Sequence, residues 1–136
     1  MVVVAGSSPL IYLSRIGHLY VLEALFGDVI VPRLVWDEAV QRRPSAPGAD
    51  EIRRAQYLRI VDNPLHSADL GLDPGETAAI LIAASLHAEL LLIDERVGRK
   101  VAQERGLTVR GTIGVLVQAK ESGVFSPLKP VLEAKR

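Results

Sequence analysis

The chain has 136 residues, 49% of them hydrophobic, with 16 basic and 16 acidic side chains and no cysteine. That length suits a single domain, 1-136, with its own core and no need of disulfides, and zero formal charge gives no global pull toward nucleic acid or anionic lipid. The lack of thiols excludes thiolate catalysis and thiolate metal sites and fits a reducing, cytoplasmic setting; the longest apolar run, within residues 77–86, is too short to cross a bilayer, and MVVVA has no signal-peptide pattern.

Val2 to Ala5 reads as a buried opening strand, which Gly6-Ser7-Ser8-Pro9 turns into a helix with Ser8 as N-cap and Pro9 at the first helical position. Helical apolar spacing covers Leu10 to Ile16 and then Leu19 to Phe26, with breaks at Gly17 and Gly27. Val29 to Val31 is a second strand. Pro32 starts a helix, PRLVWDEAVQRR, in which Glu38 shares a stripe with Leu34, Val35 and Ala39 at spacings of three and four. The Pro- and Gly-rich loop RRPSAPGAD leads to a helix over Glu51 to Gln56 and a strand over Leu58 to Val61, followed by a loop over 62–73.

The stretch LDPGETAAILIAASLHAELLLIDERVGRKVAQER organises the rest. Asp73 and Pro74 give a helix start, and the run Thr77 to Leu86 is apolar on nearly every side, as a helix inside a core is. Leu90 to Ile93 is a continuous aliphatic strand with Asp94 and Glu95 at its end, where ligands bind in open α/β sheets. A helix over Arg96 to Arg105 stops at Gly106, Leu107 to Val109 is a fifth strand, Ile113 to Ser122 a further helix, and Pro127 begins a final segment. Alternating strands and helices predict a three-layer α/β fold with a parallel sheet.

Three carboxylates fall where a shared site forms: Glu38, Glu76 in the first turn of the central helix, and Asp94. Each also has a structural reading: Glu38 as a solvated helix-face residue, Glu76 as the partner of Asp73 in a capping box, and Asp94 as the N-cap of the next helix. Carboxylates without thiols, and with only His18, His66 and His87 in unrelated contexts, are the donors of a hard ion such as Mg²⁺ or Mn²⁺ rather than zinc. Such an ion suits phosphodiester hydrolysis.

Five stretches in order, VVVAGSSPLIYLSRIG, VPRLVWDEAV, LDPGETAAI, LLIDERVGRKVAQERGL and VRGTIGVLVQAKESG, together resemble a PIN-like domain of the VapC-toxin-related kind. The resemblance implies an αβα fold with strand order 3-2-1-4-5, a Mg²⁺- or Mn²⁺-dependent endoribonuclease activity of toxin type, and pairing with a small antitoxin. It implies catalytic and metal-binding roles for Glu38, Glu76 and Asp94, with Ser8 and Glu95 in support. Gly6 stands where the family's pattern has an aspartate, which implies weak metal binding and impaired cleavage. That departure keeps open a second reading, a non-catalytic module that binds an antitoxin or RNA. A third, a flavodoxin- or receiver-like regulatory domain, lacks a phosphate-cradling glycine loop.

Basic residues at Arg42-Arg43, Arg53-Arg54, Arg96, Arg99-Lys100 and Arg110 form either an RNA track or a solvated rim. Arg96 and Arg99, directly after Asp94, are the RNA-binding candidates. Trp36 reads as a packing anchor or a dimer face. The apolar residues Leu19, Leu22, Leu25, Phe26 and Trp36 exceed what a small core needs, which predicts a homodimer.

Overall fold

A computed structural model describes residues 1–63 and 68–124. His66 and the segment predicted from Pro127 lie outside the described residues. Five strands, β1 (Val3–Ala5), β2 (Val29–Pro32), β3 (Leu58–Val61), β4 (Leu90–Leu92) and β5 (Val109–Arg110), form one sheet in the order β3-β2-β1-β4-β5. Every pairing is parallel, with Val4 opposite both Ile30 and Leu91. Strands this short hold because β1 and β4 are wholly buried aliphatic runs, covered by helices on both faces.

The helices are α1 (Ser7–Arg15), α2 (Val21–Phe26), α3 (Arg33–Trp36), α4 (Ala49–Arg54), α5 (Pro74–Ser85), α6 (Arg96–Glu104) and α7 (Thr112–Glu121). Central α5 packs against β1, β2 and β4 and meets α3, while α1 packs against α4 and α7. Its residues Ala79, Ile80 and Ala83 have no exposed surface, in keeping with apolar side chains on every face of that helix. Among the described residues no helix is long and apolar enough to cross a membrane.

Several boundaries move for local reasons. Helix α1 is capped at Gly6, not Ser8, because the Gly6 N–H still bonds Leu92 O across the sheet at 2.8 Å and the helix starts immediately after. The helix predicted from Pro32 splits into the single turn of α3 and a π-helical turn, Asp37–Gln41, that carries Glu38. Leu107 belongs to the end of α6 rather than to a strand: its N–H bonds Ala102 O and that of Gly106 bonds Gln103 O, a Schellman closure with Gly106 at φ 82°. Trp36 packs partly buried against the core, and Leu19 and Leu22 lie fully inside it.

Candidate functional site

Strands β1 and β4 end side by side at the centre of the sheet, and a small pocket opens beyond them, lined by Gly6, Ser7, Ser8, Asp73, Glu76, Asp94 and Glu95. This is the crevice at the carboxyl end of the strands where the chain order reverses. Gly6 has φ −80° and ψ 175°, an extended backbone open to any residue. A Cβ placed there would stand 3.3 Å from Leu92 O, so an added side chain requires a shift of only a few tenths of an ångström.

Glu76 occupies the inner wall. Asp73 caps α5 by accepting the Glu76 N–H at 2.8 Å, which satisfies an orphan donor of the first turn. The Glu76 carboxyl does not reach back to complete a capping box. It lies instead over Gly98, where a Cβ would sit 2.6 Å from Glu76 Oε2. Burial, then a carboxyl–carboxyl hydrogen bond with Asp73 and the charges of Asp73 and Glu95, pushes the Glu76 carboxyl up to about 8. Its Oε2 is buried without a hydrogen-bond partner among the described residues. The neighbouring carboxylates can share a proton with it but have none of their own to donate when ionised.

Glu38 joins from the π-helical turn. Its Oε2 accepts from Ser7 Oγ at 3.4 Å, a long contact, and its Oε1 rests where a Gly75 Cβ would be only 1.8 Å away. Glycines at 75 and 98 therefore let two carboxylates lie against helix backbone. Burial, and next the charge of Asp73, raise the Glu38 carboxyl above its ordinary value; Ser7, Arg42 and the Gly75 N–H oppose that rise.

Asp94 and Glu95 are both caps, on different helices. Glu95, not Asp94, caps α6, accepting from Val97 N at 3.1 Å and Gly98 N at 2.7 Å. Those two N–H groups hold the exposed Glu95 carboxyl below its usual range. The Asp94 carboxylate turns across the sheet and accepts the Thr112 N–H and hydroxyl, each at 2.6 Å, at the start of α7. Ser8 lines the pocket, whereas the hydroxyl that reaches a carboxylate is that of Ser7.

Glu76, Asp94, Glu95 and Ser8 thus border one pocket with Gly6, and Glu38 approaches it through Ser7 and Asp73. Asp73 is the member the sequence reading used only as a cap, and of the two serines that could offer a neutral oxygen it is Ser7 that meets a carboxylate. Asp73 carried a signal, since a cap and an acid three residues later place two carboxylates on one helical turn. By donor type the site suits a hard divalent cation, and the unpartnered Glu76 Oε2 is an oxygen such an ion would satisfy. As the side chains stand, no three acidic or histidine residues among the described ones are arranged to hold an ion. Arg96 and Arg99 lie outside the pocket, on a groove along α6.

The sequence profile of a family described as DUF3368, PIN domain, matches residues 2–135. No curated protein matches the chain in sequence. Among solved structures it is similar to a PilT N-terminus domain protein from the hyperthermophilic archaeon Sulfolobus solfataricus P2, with a TM-score of 0.64 and 19% identity over 89% of this chain and 95% of that one. At that identity the likeness is one of fold.

Proposed function

Because the chain belongs to the PIN-domain family, which generally includes metal-dependent nucleases, we propose that it is a weak Mg²⁺- or Mn²⁺-dependent endoribonuclease of toxin type. The observation that carries this reading is Glu76, whose carboxyl is pushed up to about 8 by burial and by Asp73 and Glu95, and whose buried Oε2 has no hydrogen-bond partner among the described residues. Hard oxygens that repel one another are the donors a divalent cation would bind.

Glu38, Glu76 and Asp94 would hold the ion, with Asp73 and Glu95 adding negative charge at the rim. When bound, the ion offsets charge on the phosphate and acidifies the attacking water. Ser7 orients Glu38, and Thr112 fixes the Asp94 carboxylate through two hydrogen bonds. Glu76 would bind the ion as its carboxylate, so metal binding would be coupled to loss of its proton. With Gly6 in place of an acid, one side of the pocket contributes no charge, so affinity is low.

Calorimetric titration with Mn²⁺ at neutral pH tests the assignment. We expect weak binding with proton release in the native chain, no binding in Glu76→Gln and tighter binding in Gly6→Asp. Equal heats in all three would remove the pocket from the account. Gly6 specifically favours the second reading, a non-catalytic module for RNA or a small antitoxin; failure of a folded Gly6→Asp protein to bind Mn²⁺ would select it. A homodimer belongs to either reading, and the exposed apolar residues Tyr12, Ile16 and Ile113 supply the surface for a second copy.

A further inference from the structure

Helix α6 carries Arg96, Arg99, Lys100 and Gln103, at positions i, i+3, i+4 and i+7, on one face about 10 Å long. Together with Val109 of β5 they line an open groove. Among the described residues no carboxylate lines it. Among the described residues Arg33, Arg53 and Arg59 each stand within ion-pair distance of an aspartate, and Arg110 bonds Gln118. None of the three cations on α6 has such a partner among the described residues.

Two observations set the groove beside the acidic pocket. Arg96 directly follows Glu95, which borders the pocket. Half-buried Arg99 reaches over the end of β5: its Nη1 lies 3.7 Å, and Asp94 Oδ1 2.8 Å, from the point a Gly111 Cβ would occupy. Three cations without an ion pair among the described residues and an amide donor match a chain of phosphates, and guanidinium forks bind phosphate oxygens in pairs. Among the described residues the groove is lined by cationic, amide and aliphatic side chains, which suit the backbone of a nucleic acid rather than base stacking.

We propose that this groove is the track for the sugar-phosphate backbone of a single-stranded RNA, which runs from the acidic pocket past Arg96 and Arg99 to Lys100 and Gln103. The assignment rests on the nuclease reading of the pocket and adds to it a sequence-blind contact surface. Phosphate contacts of this kind fix register and carry no base information.

Fluorescence anisotropy of labelled oligo(U) and oligo(A) with the full chain in EDTA tests the groove without requiring cleavage. Lys100→Ala, and more strongly Arg96→Ala with Lys100→Ala, should weaken both oligomers equally. The slope of log affinity against log salt should fall by about 0.7 for each contact removed. Arg53→Ala, on a different surface, should change neither. Unchanged affinity and slope in both groove variants overturn the proposal, as does weakening of one oligomer alone. Failure of the native chain to bind either oligomer also overturns it and leaves an acidic protein surface as the occupant. Mn²⁺-dependent cleavage measured in parallel separates the two ideas: loss of binding without any native cleavage sinks the nuclease reading and keeps the groove, and the converse sinks only the groove.

Discussion

Burial and the neighbouring Asp73 and Glu95 push the Glu76 carboxyl up to about 8, and this has a sign that can be tested. Its folded value of about 8 lies above the ordinary 4.5, so the folded chain binds more protons than the unfolded one between those values. Stability from this group is fully present below 4.5 and is lost as pH rises through about 8. Denaturant unfolding in EDTA should therefore show stability falling across that range, and Glu76→Gln should flatten the fall and be the more stable protein at alkaline pH. A native stability that rises with pH there would contradict the assignment. Gly6→Asp belongs to the same scale. Its backbone at φ −80° accepts aspartate without strain, and the 3.3 Å approach to Leu92 O costs on the order of 1 kcal/mol. The variant should fold, with a small drop in melting temperature and several-fold tighter Mn²⁺ binding; a folded variant with unchanged affinity would show that Gly6 is not the weak corner.

At the level of elements, the site depends on glycines in two helices and on a π-helical turn. Gly75→Ala drives a Cβ into the flexible end of Glu38, which can swing away, while the helix gains about 1 kcal/mol from the exchange. Stability should stay within about 1 kcal/mol of the native value while Mn²⁺ binding weakens. Gly98→Ala also meets Ile93 Cδ1 at 2.8 Å, so it should lose both stability and binding. Thermal melts and calorimetry on the two variants check the contrast; intact binding in both would mean that Glu38 and Glu76 do not act from these positions. The same elements show what a sequence can disclose. Aliphatic runs at Val3, Val29 and Leu90 mark strands because burial on both faces removes polar alternation; β3, at the sheet edge, carries exposed Arg59 between its aliphatic residues. The strand order came from the family resemblance rather than from any periodicity. Asp94 reads as a cap in sequence, yet its helix is α7, because the parallel pairing of β4 with β5 brings Thr112 beside it. A capping partner across a sheet leaves no local spacing to find. Nor does a π-helical turn, whose extra residue only packing selects.

Across the whole molecule, the residues first expected to form a dimer face are largely used by the core. Leu19 and Leu22 are fully buried, and Leu25, Phe26 and Trp36 pack partly buried against the core. The free apolar surface lies instead on α1 and α7, where Ile113 is 73% exposed beside Tyr12 and Ile16. Light scattering should show a dimer that Ile113→Asp converts to monomer; a native monomer at high micromolar concentration would end the dimer reading. The sheet, its helices and the acidic pocket make a single chemical claim: that this chain cuts RNA weakly, with a divalent ion, at Glu76 and its neighbours. Its most direct test is cleavage of one labelled single-stranded RNA in Mn²⁺ by the native chain, Glu76→Gln and Gly6→Asp. The account predicts slow native cleavage that EDTA stops, none from Glu76→Gln, and faster cleavage from Gly6→Asp. Cleavage that survives Glu76→Gln, or none from a folded Gly6→Asp protein, would contradict it.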